Sequence, residues 1–273
     1  MKRLIFIVPL LVVIVIAALS VRAAFDSNRI GVVEVIGAIT DSKETIKNIK
    51  SFSENKLIRV IILRVDSPGG IVAPSQEIYE AVKKARESKK VVASMGALAA
   101  SGGYLIAAPA DLIVANPGTL TGSIGVLMEF VNVEKLMDKL GVSMEVIKSK
   151  EHKDIGSPFR TMTGKEKEML QGVIADVYDQ FVEVVSAERG IPQDSVVKFA
   201  DGRIFTGRQA KELGLVDTLG SFEDAVTIAK DLVGIKVTPR LIYPKKKRSL
   251  MNILFEPMDR LLLPKIQYIF KMQ

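Results

Sequence analysis

The chain reads as an α/β layered domain. Two observations carry that reading. β-Branched apolar runs that end in turn residues recur from Arg29 onward, and segments with helical spacing stand between them. The composition agrees: 48% of the 273 residues are hydrophobic and 25% charged, enough for a proper core and too balanced for extended disorder. The alternation shows no internal repeat.

The segment "MKRLIFIVPLLVVIVIAALSVRAAF" comes first. Lys2 and Arg3 precede an uncharged, mostly apolar run from Leu4 to Val21. At about 1.5 Å per residue such a helix is roughly 27 Å long, just enough to cross a hydrocarbon core. The basic pair stays cytoplasmic and sends the rest of the chain outside. Residues 1–24 are therefore expected to be a signal anchor. A cleaved secretory signal is the competing reading, but the run is long for one and no clear Ala-x-Ala follows.

Residues 25–243 form the expected folded domain. "IGVVEVIGAI" and "IRVIILRVDSP" read as strands, and "APSQEIYEAVKKARES" as a helix with Ile78, Ala81 and Val82 on one face. "KKVVASM" and "DLIVANP" are strands, "VEKLMDKL" a helix and "VSMEVIKS" another strand. The longest helix runs from about Thr163 to Arg189, with Thr163 and Glu166 forming a capping box and Gly190 and Pro192 closing it. A turn, a short strand, a helix stopped at Gly214 and a further helix start complete the domain.

Residues 244–273 break the pattern. Lys245, Lys246, Lys247 and Arg248 precede a stretch with two prolines and many large apolar side chains. This arm is expected to lie on anionic lipid or dock on a neighbouring subunit, in preference to reaching into an active site.

Residue counts exclude whole classes of chemistry. With no cysteine there is no disulfide, thiolate nucleophile or Cys-type zinc site, and with His152 alone there is no multi-histidine metal site within one chain. The formal charge of +7 calls for a negatively charged neighbour. Much of the excess sits at the two ends, which favours lipid over nucleic acid.

Four stretches could carry chemistry. In "VDSPGGIVAPSQEIYEA" a buried strand ends at Asp66-Ser67-Pro68, and Gly69 and Gly70 can turn backbone N–H groups towards a cavity, as a developing oxyanion requires. In "MGALAASGGYLIAAPAD" a single hydroxyl, Ser101, sits among small side chains where a helix starts, and the Gly102 N–H is a second candidate donor. Read alone, Ser101 is as well explained as a helix N-cap. A nucleophilic serine needs a base, and "VIKSKEHKDIGSPFR" offers Lys148, Lys150, His152 and Lys153, among which spacing does not choose. "GTLTGSIGV" holds Ser123, whose hydroxyl could orient an ammonium or simply face a loop.

Taken together, "VDSPGG", "MGALAASGGYLIAAPAD", "GTLTGSIGV", "HKDIGSPFR" and "DGRIFTGRQAKELGLVDTLG" resemble the signal peptide peptidase A (SppA) family of membrane-anchored serine/lysine peptidases, in that family's order. The resemblance covers most of residues 30–225 and implies a ClpP/crotonase-like fold. It further implies Ser101 as nucleophile, Lys153 as general base, Gly69, Gly70 and Gly102 as the oxyanion hole, and Ser123 as the residue orienting the lysine. No metal or organic cofactor is implied.

The implied substrates are cleaved signal peptides and other unfolded or membrane-released segments outside the cytoplasm. The implied assembly is a homo-oligomer whose neighbouring subunits complete each active site. Two positions depart from the family pattern: Lys150 stands where glycine is expected, and Leu105 follows Tyr104 where a second aromatic is common. Three other readings compete: a crotonase-type acyl-CoA enzyme, a catalytically silent membrane scaffold of the same fold, and a triad built on His152.

Overall fold

The computed structural model describes residues 28–244 and the backbone of residues 267–269. The expected anchor, 1–24, and most of the C-terminal arm lie outside the described residues. Among the described residues no helix is long and apolar enough to cross a membrane.

The centre of the molecule is a largely parallel sheet. Strand β1 (Arg29–Ile36) pairs with β2 (Ile58–Ser67), and β2 pairs with β4 (Lys90–Ala100). These strands read as continuous apolar runs because both of their faces are covered. Val60 and Ile62 turn to one cluster with Ile30, Val32, Val92 and Ala229, while Ile61, Leu63 and Val65 turn to the other with Val33, Val35 and Ala93. The first cluster packs under helix α8 (Phe222–Leu232). The second receives the remaining principal helices, α1 (Lys43–Glu54), α2 (Val72–Arg86), α3 (Gly102–Ala107) and α5 (Gly164–Arg189). Helix α1 buries Ile49 and Phe52, each contributing about 1.5–3 kcal/mol.

Strand β4 does more than the sequence suggests. Its first half pairs with β5 (Leu112–Ala115) through Val92–Ser94, and its last residues pair with β6 (Leu120–Gly122) through Leu98–Ala100. Strand β7 (Ile204–Thr206) adds antiparallel to β6, and β8 (Thr218–Leu219) adds to β5. On the far edge β9 (Arg240–Ile242) lies beside β1. The long helix is present with its capping box at Thr163 and Glu166, and Gly190 closes it in the left-handed conformation.

One expected strand is absent. "VSMEVIKS" forms no regular element, and every residue from 142 to 149 is exposed. Its alternation has no neighbouring strand to pair with among the described residues, and an unpaired extended segment satisfies its backbone with water instead. It belongs to an arm that leaves the body after β6 and carries the short helix α4 (Glu134–Leu140), in which no residue is buried.

A second, two-stranded sheet is formed by β3 (Gly69–Ile71) and β10 (Gln267–Ile269), which run antiparallel with Tyr268 opposite Gly70. The C-terminal arm thus reaches the glycine pair, the destination ranked last from sequence.

Candidate active site

The site is built where β2 and β4 end. Strand β4 runs without interruption to Ala100, so Ser101 is the next residue and the first turn of α3 follows at once. Ser101 has φ 56 and ψ −121, a conformation that costs a side-chain-bearing residue on the order of 1–3 kcal/mol. Its backbone is held by the N–H to the Gly122 carbonyl at 2.8 Å and by the carbonyl accepting the Leu105 N–H at 2.9 Å. Its side chain makes no capping hydrogen bond. Ser101 is 1% exposed, and its Oγ is buried with no hydrogen-bond partner. A capping serine would spend its oxygen on the helix. This one holds it free.

The next strand brings the second hydroxyl alongside. Ala100 faces Gly122 in the β4–β6 register, so Ser123 follows β6 as Ser101 follows β4. Ser123 has φ 50 and is buried, and its N–H donates to the Arg203 carbonyl at 2.8 Å. Ser101 and Ser123 are the only non-glycine residues with positive φ among the described residues. The structure therefore joins these two candidates by backbone, although their hydroxyls do not bond each other.

The glycines close the third side. Gly69 donates its N–H to Ser67 Oγ at 3.1 Å, so that donor is already taken. Ile39 lies parallel to this turn, donating to the Gly69 carbonyl and accepting from the Ile71 N–H, both at 2.8 Å. Because successive residues of an extended strand alternate sides, the Gly70 N–H and carbonyl point away from Ile39, towards β10. A Cβ on Gly70 would stand 2.0 Å from the Ile39 carbonyl oxygen, so this approach needs glycine. Gly103 is equally constrained, since a Cβ there would lie 2.6 Å from the Ser67 carbonyl. Gly102 is the first residue of α3, where N–H groups have no intrahelical acceptor.

Beneath this corner the polar groups are satisfied. Thr121 Oγ1 donates to the Ala99 carbonyl at 2.6 Å, and the Leu98 N–H donates to Asp66 at 3.0 Å. Tyr104, fully buried, donates its hydroxyl to the Leu215 carbonyl at 3.1 Å, and burial pushes its phenol far up.

Lys153 is placed differently. It sits on a 3-10 turn, Glu151–Asp154, at the base of the arm. Its side chain is exposed and makes no hydrogen bond or ion pair among the described residues, and Ser101 Oγ has no partner, so one chain does not join the two. His152 is half-buried with an unpartnered Nδ1, and its Nε2 lies 3.6 Å from Glu151, not on Ser101. Around the turn Arg160 makes forked bonds to Asp154 and to Glu166, which is 2% exposed. The guanidinium, followed by the Thr163 N–H, holds Glu166 down at about 2, and Arg160 with Lys148 holds Asp154 lower still. Among the described residues no group of three or more His, Cys, Asp or Glu side chains could hold a metal ion.

Comparison with known proteins identifies the family and the fold. The peptidase family S49 matches residues 83–236, and the Clp protease family matches residues 19–114. A relative in Synechocystis is 49% identical over 209 residues, covering 76% of this chain and 75% of that protein. "Protease 4" of Salmonella typhi is 39% identical over 217 residues, covering 76% of this chain and 35% of its own length. "Serine protease SPPA, chloroplastic" of Arabidopsis thaliana is 33% identical over 239 residues, covering 86% and 35%. The chain thus spans about a third of those two longer proteins. A ClpP1 mutant from Listeria monocytogenes superposes with a TM-score of 0.50 at 15% identity, over 76% of this chain and 99% of that one, which identifies the α/β fold as ClpP-like. The family match over more than half the chain, together with the Synechocystis relative, supports one conclusion: the chain belongs to peptidase family S49 and is a serine-type peptidase.

Proposed function

We propose that this peptidase is an endopeptidase using a Ser101/Lys153 dyad on cleaved signal peptides and other unfolded or membrane-released segments. The observation that carries the nucleophile is the buried, uncapped and unpartnered Ser101 hydroxyl on a strained strand end. Neutral Lys153 takes the Ser101 proton while the oxygen attacks a peptide carbonyl carbon. The N–H groups of Gly70 and Gly102 hold the oxyanion. Gly69, with φ 91 and its N–H on Ser67, shapes the turn that presents Gly70. The lysine then protonates the leaving amine, and a water activated by the same lysine releases the acyl group.

A peptide substrate is supported by β3, whose open side takes β10 as an antiparallel strand. An extended chain laid there runs past Gly70 by the same main-chain pairing. A lysine acts as base only when desolvated, and Lys153 is exposed in a single chain. A second copy supplies that burial: the arm presents Leu140, Val142, Met144, Val146 and Ile147, all exposed, as its contact surface. The homo-oligomer then places Lys153 of one subunit over Ser101 of the next, with Ser123 orienting the ammonium. The anchor of residues 1–24 keeps domain 25–243 at the outer membrane surface, against anionic lipid.

Single replacements test the dyad. Ser101→Ala and Lys153→Ala should each lower leader-peptide or casein cleavage by about three orders of magnitude or more, with His152→Ala nearly unaffected. Full activity in Ser101→Ala or Lys153→Ala refutes the dyad. Loss in His152→Ala alone restores the triad. Assembly is checked by sedimentation, since a broken oligomer imitates a missing base.

A further inference from the structure

From residue 125 to residue 165 no residue is buried, and the next one, Glu166, is a carboxylate. Apolar packing at the base of the arm that carries Lys153 is limited to partly buried side chains, Val126 against the main core and Phe130 against Gly156. Its root is mainly ionic. Glu166 lies in the first turn of α5 and accepts the Thr163 N–H at 2.9 Å and the Thr163 hydroxyl at 3.1 Å. Its two oxygens then take Arg160 Nη1 at 2.8 Å and Nη2 at 2.5 Å. On its other edge the same guanidinium gives Nε to Asp154 at 2.9 Å and Nη2 to the second Asp154 oxygen at 2.8 Å. Lys148 adds a bond to Asp154 at 2.6 Å. Asp154 is the residue after Lys153.

We infer that Arg160, clamped between Glu166 and Asp154, is a positioning residue that fixes the direction and the charge environment of the Lys153 ammonium. The inference rests on the reading of Lys153 as general base. A planar fork engaged on both edges admits one orientation, which a lysine at this position could not reproduce. The joint transmits that orientation from the capped start of α5 to the turn that holds Lys153.

The charges carry a second, signed consequence. Arg160 and Lys148 balance Asp154 and Glu166, so the clamp adds no net charge beside Lys153. The other charged or titratable groups facing the turn are Lys150, Glu151 and His152 from its own segment and Lys165 from α5, which approaches Glu151 at 3.9 Å. Removing the positive charge of Arg160 leaves an uncompensated carboxylate, favours the ammonium and moves the base to higher pH. Removing the negative charge of Glu166 does the reverse.

The experiment uses the purified full chain in detergent, a fluorogenic peptide and kcat/KM measured across pH. Lys153→Ala, Arg160→Gln, Glu166→Gln and Asp154→Asn are compared with the parent, together with melting temperature and assembly state. Arg160→Gln is expected to lower kcat about 10- to 100-fold with little change in KM and to shift the acidic limb upward. Glu166→Gln and Asp154→Asn are expected to shift it downward. Should Arg160→Gln fail to fold, Arg160→Lys takes its place, with kcat expected to fall about tenfold and the limb unmoved. Activity surviving in Lys153→Ala refutes the dyad itself. Loss in Lys153→Ala with unchanged rates and limbs in every clamp variant overturns the clamp alone. Lower activity with an unmoved limb in Glu166→Gln and Asp154→Asn marks a merely structural joint and also overturns it.

Discussion

The corner that holds Ser101 and the arm that holds Lys153 are opposite kinds of structure. Ser101 stands at the end of a central strand, with backbone partners on both sides, Gly70 and Gly103 packed on carbonyls nearby and almost no exposure. Lys153 is exposed on a turn held through Asp154 by Arg160 and Lys148. The difference teaches that the proposed nucleophile is organised by the fold of one chain, whereas the proposed base has only its root organised there. Burial sets the first, and on the proposed reading assembly sets the second.

The largest effect that would break this contrast is expected at Gly70. A Cβ there meets the Ile39 carbonyl, which is backbone and cannot rotate away. Gly70→Ala should cost about 1–3 kcal/mol and lower kcat/KM by about two orders of magnitude, because the strand shifts together with its donor. Thermal melting and peptide hydrolysis check both, and near-normal values in each would show that the corner is not rigid.

A subtler effect concerns stability at Ser101. Removing an orphaned buried hydroxyl should raise stability by about 1 kcal/mol in Ser101→Ala. Ser101→Gly should add about 1 kcal/mol more by relieving the positive φ. Denaturant midpoints read the order Gly above Ala above Ser. The reverse order would mean that the hydroxyl has a partner.

The smallest effect lies in the arm and is a matter of pH. Glu166 and Asp154 both titrate below their unfolded values, so what they contribute is present above about pH 4 and is lost as pH falls. For Glu166 the loss runs down through about pH 2 and is complete below it. Hydrogen exchange between pH 4.5 and 2.5 should therefore open residues 145–165 before β4. Simultaneous opening would make arm and body one cooperative unit.

Much of the body was legible in the sequence, because both-sided burial writes β2 and β5 as apolar runs and the capping box marks α5 at Thr163. Other features depend on partners. The final residues of β4, Gly96 to Ala100, have little strand propensity and are extended because β2 and β6 pair with them. Residues 142–149 alternate like a strand and have no partner strand among the described residues. Ser101 and Ser123 are named in the sequence, but their positive φ and shared backbone are not. The choice of Gly70 over Gly69 depends on where Ser67 points, and the reach of the tail to β3 leaves no trace in composition.

If substrates bind along β3 as proposed, the pairing of β10 with β3 affects how any peptide is measured on this protein. An incoming chain does not meet a bare edge; it meets one already occupied by residues 267–269 of the same polypeptide. A tethered competitor acts at an effective concentration on the order of millimolar and cannot be diluted away. Apparent KM values for short peptides thus contain the cost of displacement. Long substrates that gain contacts beyond Gly70 overcome it more easily, which makes substrate length a selective variable without any pocket to read it.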